Sequence, residues 1–395
     1  MVCANLCQQQ TTCAGTTTTR VSGTVFMPNG IDPLPNTLVY VPNAPLQPLT
    51  EGVQSCQPCD ALVSGSPLVS AVSDTTGHFT ITNMPVGTHI PLVIQNGKWR
   101  RQFELPSVTA CTDTAISQPL RMPSNQNEGD MPKIALVTGG FAALECVLLK
   151  MGISPSEFSN GSTTSNARVQ FYLAAGNAGA RYDAATPLEQ ELWGTQASMN
   201  RYDLVFLGCQ GSRFARTSSA RQTLLNYANT GGQVLVNHGE LEWLYNVQPF
   251  SSTAYWHTAQ PSNFGTGTNI ANVDTSFPKG QQLAQWLALS APAGVPGQVP
   301  LNLLYAEFDG VPASSRIWVT APDSLHPNPV PLQYTFETPV GVPPAQQCGR
   351  VMFNAFHTME HFPSGTQFPA ECSSAPLRLD ERLMAFMLFN LGSCR

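Results

Sequence analysis

The apolar positions of the chain change their period near residue 130. Before it they fall in short β-branched runs, VSGTVF at 21–26, NTLVYV at 36–41, GHFTITNM at 77–84 and HIPLVIQ at 89–95. Pro-Asn-Gly, Asp-Thr-Thr-Gly and Pro-Val-Gly turns separate these runs, so residues 20–122 predict a small β-sandwich. After the polar linker 123–132 (PSNQNEGDMP), strands alternate with helices. Lys133 to Thr138 predicts an apolar strand ending in Gly139-Gly140, and Ala142 to Met151 a helix. Tyr202 to Leu207 predicts the next strand, and the helical spacing of Leu224, Leu225 and Ala228 a helix that Gly231-Gly232 stops. Gln233 to Asn237 reads as a buried strand running straight into His238-Gly239-Glu240. Arg350 to Phe356 predicts another strand, and Leu379 to Leu391 a closing helix begun by Asp380 and Glu381 at its positive end.

This alternation predicts a doubly wound α/β domain with a mostly parallel sheet over 133–395. Residues from about 246 to 345 hold few periodic runs and many Pro and Gly, and read as a long insertion of loops and short strands laid over the strand ends. Residues 1–19 carry three Cys and a run of four Thr, with too little apolar surface to fold alone. They read as a disulfide-pinned arm, able to pair with a sheet edge of this chain or of another copy.

Composition narrows the function classes. The chain has 395 residues, of which 11% are charged and 42% hydrophobic, so globular domains of ordinary size are available. The net charge of −6 and the absence of any basic run longer than Lys98 to Arg101 argue against nucleic acid as a partner. No stretch of about 18 apolar residues predicts a transmembrane segment, and MVCANLCQQQ has no charged and apolar leader pattern, so no signal peptide is visible. Eleven cysteines beside only four lysines suit an exported, disulfide-bearing protein at the cell exterior or surface. The odd number leaves at least one thiol unpaired, and Cys146 and Cys209, both in core elements, are the expected free ones. Cys56 and Cys59 lie in a Pro/Gly/Ser loop, which favours structural disulfides to Cys3, Cys7, Cys13 or Cys111 over a redox pair.

Two family resemblances follow from these residues. Val21 to Val25, Asn36 to Val41, Ser73 to Phe79 and Asn83 to Gly87 come in the order of the carboxypeptidase regulatory-like, or transthyretin-like, domain, with an insertion at about 42–69. That resemblance implies an accessory β-sandwich and no activity. The later order, KIALVTGG, helix, YDLVFLGCQG, helix, GGQVLVNHG, insertion, CGRVMFNAFHTMEH, closing helix, resembles the class I glutamine amidotransferase-like (flavodoxin-like) fold and within it the ThuA-like group. In that family a nucleophilic Cys stands on the turn after the strand that here is Gln233 to Asn237, and a His with a nearby Glu follows the strand that here is Arg350 to Phe356. His357 and Glu360 match the second feature, one residue more widely spaced. Asn237 and His238 occupy the first, so the resemblance implies loss of amidotransferase chemistry.

Four groups of residues are candidates for chemistry. His238 and Glu240 leave one strand end, His357 and Glu360 another, and ligands of open α/β sheets bind beyond such ends. Together they can act as general acid and base or hold a divalent metal. His357-Thr-Met-Glu360-His361 matches an H-x-x-E-H zinc motif, which requires a helix where the pattern reads as a loop. Cys209, between glycines at a strand end, is a possible nucleophile but is expected to be a buried thiol or a disulfide partner. Trp243, Tyr245, Tyr255, Trp256, Trp286 and Trp318 can stack on a carbohydrate, although such rings more often pack an insertion against a sheet.

The resulting expectation is an exported binding or structural protein whose amidotransferase-like domain has lost its nucleophile. It is expected not to be an enzyme, calls for no cofactor, and can self-associate through its arm or sheet edges. The competing expectation is a hydrolase or isomerase acting on a carbohydrate or small metabolite through His238, His357 and Glu360.

Overall fold

The computed structural model describes the chain apart from residues 1–2, 54, 57–61, 175–178, 258–261, 292–293, 323–327, 359–364 and 393–395, and describes the backbone alone at 262–268 and 303. The chain is built of mixed β-sheets with few helices. First come β1 (Arg20–Phe26), β2 (Leu38–Pro42), β3 (Pro67–Val72), β4 (His78–Thr82), β5 (Gly87–Asn96), β6 (Trp99–Val108), β7 (Asp113–Ala115) and β8 (Leu120–Arg121). They form two four-stranded sheets, one of order β4-β1-β7 with β8 also on β1, the other of order β3-β2-β5-β6. The alternation read from the sequence sets which side chains go inward: β1 and β4 alternate buried and solvent-facing positions. Val21, Val25, Phe79 and Ile81 from one sheet and Val39, Val41, Ile90 and Leu92 from the other join a single apolar cluster. Strand β3 begins inside what reads as an insertion, and β6 opens on the last residues of the basic run, its Arg100 tied to Asp130 at 2.8 Å.

The remaining elements are β9 (Ile134–Thr138), α1 (Leu144–Lys150), β10 (Phe158–Asn160), β11 (Val169–Leu173), α2 (Gln190–Trp193), α3 (Gln196–Asn200), β12 (Leu204–Leu207), α4 (Ser218–Asn229), β13 (Gln233–Asn237), β14 (Ser262–Val273), α5 (Pro278–Ala288), β15 (Gln298–Ala306), β16 (Ser315–Ala321), β17 (Val330–Thr338), β18 (Gly349–Asn354) and α6 (Leu379–Gly392). They build one ten-stranded sheet of order β10-β11-β9-β12-β13-β18-β17-β16-β14-β15. Strands β10 to β18 in the first part of that order are all parallel. Strands β9, β11, β12 and β18 are buried along their whole length, which is why β9 and β12 read as apolar runs, while β11 and β18 also bury Gln170, Arg350 and Asn354.

The region 246–345 departs from expectation. Where loops and short strands laid over the strand ends are expected, β14, β15, β16 and β17 extend the same sheet as antiparallel strands beyond β18. Prolines that read as loop markers stand near strand starts, Pro300 in β15 and Pro331 in β17, where Pro is least disruptive. Helix α6 is apolar around most of its circumference because it is enclosed: Leu383 to Phe389 are all buried, and Phe386 and Phe389 meet Trp286 and Trp99 at ring separations of 5.7 and 5.4 Å.

The cysteines pair differently from the sequence reading. Cys3 bonds Cys7, Cys13 bonds Cys111, and Cys56 bonds Cys348, 292 residues away. Cys146, expected to be free, bonds Cys372. Sequence spacing could not reveal this, because the partner arrives from the segment before α6. Cys59 and Cys394 lie outside the described residues, and among the described residues Cys209 is the free thiol. The arm is held to the rest of the chain by the Cys13–Cys111 disulfide and by backbone bonds such as Val86 N to Gln9 O at 2.9 Å.

Candidate functional site

Three parallel strands, β12, β13 and β18, end beside one another. The pairing of Asn237 with Asn354 closes the last two in register. Asn354 donates to Asn237 Oδ1 at 3.1 Å and accepts from Gln333 at 2.7 Å, while Asn237 donates to Leu207 O at 3.2 Å. This buried amide ladder ties the strand ends to one another and fixes the backbone where each strand turns. The residues that follow are Gly208-Cys209, His238-Gly239 and Ala355-Phe356-His357.

The turns bring three ligand-type side chains together. Cys209 Sγ lies 3.1 Å from His357 Nε2, the His238 and His357 rings stand 5.3 Å apart and perpendicular, and one donor atom from each of the three residues falls within 4.8 Å of the others. All three are buried, His238 being the most accessible at 8%. Small residues allow this convergence. A Cβ on Gly139 would stand 2.2 Å from Cys209 O, and one on Gly239, whose φ is +88°, would stand 3.1 Å from Cys209 Sγ. Cys209 Sγ also accepts the Gly211 N–H at 3.4 Å. Burial pushes the thiol up to about 12, with the Glu240 and Glu307 carboxylates acting in the same direction, so Cys209 is a neutral thiol at physiological pH in the protein alone.

His238 is oriented by a residue that sequence reading missed. Its Nδ1 meets Glu307 Oε1 at 2.7 Å, and Arg213 holds the other Glu307 oxygen at 2.7 Å. Tyr305 stacks on the imidazole with ring centroids 3.5 Å apart. Both residues arrive because β15, the outermost strand of the sheet, bends over the end of β18: Tyr305 N bonds Ala355 O at 2.9 Å, and Asn302 bridges to His357. The signal was an acidic Glu307-Phe308-Asp309 at the end of an apolar run, inside a region whose prolines suggested loops. Beyond His357, Arg378 secures the turn by donating to Thr358 O at 2.5 Å.

The expected partnership of His238 with Glu240 does not form. Glu240 turns away and accepts from Arg216 at 2.6 Å and from Trp243 at 3.0 Å. Arg216 also pairs with Glu189, and its guanidinium lies over both rings of the edge-to-face Trp193–Trp243 pair, at 5.4 and 5.0 Å from their centroids. Burial, outweighing Arg216 and reinforced by Glu189, lifts the Glu240 carboxyl to about 7. This cluster is a structural support behind the site. Glu360 and His361 lie outside the described residues. His357 sits in an isolated β-bridge and not on a helix, so the helical geometry of an H-x-x-E-H zinc motif is absent at its first residue. Among the aromatic candidates, Trp243, Trp286 and Trp318 are buried, Trp256 packs on Phe353 and Tyr334, and Tyr255 is exposed.

No protein-family model matches the sequence, and no curated protein matches it. Among solved structures the chain is similar to a cytoplasmic protein from Salmonella typhimurium at 11% identity, over 67% of this chain and 100% of that one, with a TM-score of 0.37. It is similar to a ThuA-like protein from Parabacteroides merdae at 14% identity, over 67% of this chain and 89% of that one, with a TM-score of 0.36. A ThuA-like protein from Bacteroides uniformis gives 8% identity over 65% and 89% of the two chains, with a TM-score of 0.34.

Proposed function

We propose that this chain is an exported hydrolase or isomerase for a small polar metabolite or carbohydrate, with Cys209, His238 and His357 as its working centre. The observation that carries this reading is the meeting of a thiol and two imidazoles at the ends of three parallel strands, with one imidazole held by a buried carboxylate. With His238 Nδ1 bonded to Glu307, its Nε2 is the nitrogen left to take a proton from water or a substrate hydroxyl, and the Glu307 carboxylate faces the charge that develops on the ring.

In the same proposal, the two four-stranded sheets form a transthyretin-like sandwich serving as an accessory module, and the parallel strands form a ThuA-like, doubly wound domain without the family nucleophile. Support comes from the alternation of buried and solvent-facing positions in the small sheets, from the strand order and from Asn237 and His238 at the turn. An extracellular or cell-surface location is supported by four disulfides among the described residues, and no described helix is long and apolar enough to cross a membrane.

The test is a panel of ester, amide, lactone and glycoside substrates assayed with the wild type and with His238→Ala and His357→Ala. Turnover lost in both variants, with native circular dichroism retained, is the expected result. A wild-type protein inert across the panel favours a second reading, a binding or structural protein, which the near-complete burial of Cys209 and His357 supports.

A further inference from the structure

The three side chains of the proposed centre make better sense as a ligand set than as a thiol–imidazole pair. In a nucleophilic dyad one imidazole activates the thiol, and the second, brought within ligand distance of the same sulfur, has no assigned task. We propose that Cys209 Sγ and one ring nitrogen each of His238 and His357 bind a divalent transition-metal ion, zinc by preference, leaving a fourth position open. The inference shares its residues with the proposed function and assigns His238 Nε2 to the ion instead of to proton transfer, but it is read out by binding and so stands or falls separately.

The distances suit such an ion. Zinc bonds of about 2.3 Å to sulfur and about 2.0 Å to nitrogen place ligand atoms between 3 and 4 Å apart in a tetrahedron, roughly as here. The Cys209 to His357 distance is 3.1 Å, and all three donor atoms lie within 4.8 Å of one another, so the set is already gathered close to ligand spacing. Sulfur with two imidazoles selects zinc, cobalt or copper over calcium or magnesium.

The surroundings are those a metal site requires. Glu307 binds His238 Nδ1, which leaves Nε2 as the ligating nitrogen, and Arg213 holds Glu307 in turn. Tyr305 clamps the plane of the His238 ring. The Gly211 N–H already points at Cys209 Sγ, where it can stabilise a thiolate, and Gly239 leaves the sulfur unobstructed. The other convergent group, Cys146, Cys372 and Glu371, has its two sulfurs joined to each other and offers no comparable set.

The experiment uses the full chain, stripped with a chelator and titrated with cobalt(II). One equivalent should bind with the near-ultraviolet thiolate-to-cobalt band and the strong visible bands of a tetrahedral site. Cys209→Ser should abolish the first band, and His238→Ala and His357→Ala should each weaken binding by about 100-fold or more. A titration without these bands, or one that Cys209→Ser leaves unchanged, overturns the proposal. Should the variants fail to fold, zinc-edge X-ray absorption of the reconstituted wild type decides: one sulfur near 2.3 Å with nitrogens near 2.0 Å supports the site, and nitrogen and oxygen neighbours alone overturn it. Metal binding without turnover on any substrate would sink the catalytic reading alone. Turnover insensitive to chelation, in a protein that shows no cobalt bands, would sink the metal alone.

Discussion

Cys209 Sγ and His357 Nε2 lie 3.1 Å apart although 148 residues separate them in the chain. Parallel pairing brings them together: β12 and β18 flank β13, and each of the two residues follows the carboxyl end of its strand. The thiol that reaches the turn at His238 comes from the neighbouring strand and not from the turn itself.

Burial and the raised thiol predict that Cys209 is inert in the metal-free native protein. Titration of non-reduced protein with a disulfide reagent at pH 8 should show one fewer reactive thiol after unfolding in Cys209→Ser than in the wild type, and no difference between the two before unfolding. Rapid labelling of native Cys209 would contradict the enclosed geometry.

Glu307 acts through His238. Replacing it by Gln keeps the shape but removes the carboxylate from Nδ1, and metal affinity in the cobalt titration should fall by about 10- to 100-fold. Gly239→Ala should disturb the same measurement from the other side, since its Cβ meets the sulfur at 3.1 Å and its backbone stands at φ +88°.

Arg216 answers two buried carboxylates at once. Arg216→Met leaves Glu189 and Glu240 facing each other uncompensated, and urea unfolding should show a loss of about 3–5 kcal/mol. Adding Glu189→Gln and Glu240→Gln to that variant should restore most of it, because the cost lies in stranded charge and not in lost contact area.

Glu145 is wholly buried in α1, has an oxygen without a hydrogen-bond partner and stands near Glu371; burial, aided by Glu371, lifts its carboxyl to about 8. Between its ordinary range near 4.5 and about 8 the native state keeps a proton that the unfolded chain has released, so stability falls as pH rises through that window. The loss should be on the order of a few kcal/mol between pH 5 and pH 8. Glu145→Gln should flatten the slope measured by urea unfolding, leaving the decline due to the other carboxyls that burial raises, Glu240, Glu371, Asp203 and Asp380. An unchanged slope would show that Glu145 is not the titrating group.

Local pattern was enough to recognise individual elements. Strand β13 was legible to the residue, and β9, β12, β18 and α6 to within a few, because a strand buried on both faces leaves an unbroken apolar run that turn-forming glycines or polar residues delimit. His238 and His357 were legible as candidates for the same reason, each standing just past such a run. Tertiary structure decided the rest. Pro-bearing β15 and β17 became strands, with β14 and β16, because a sheet edge was there to pair with, and β15 thereby delivered Glu307 to His238, 69 residues earlier, and Tyr305 to the same ring. Glu240 pointed toward Arg216, and Cys146 found Cys372, because contacts between distant segments depend on how sheets and helices stack, a relation that hydrophobic period does not encode. Periodicity determines which residues are buried and where each strand ends. Which side chains meet beyond those ends is decided by the order in which the strands assemble.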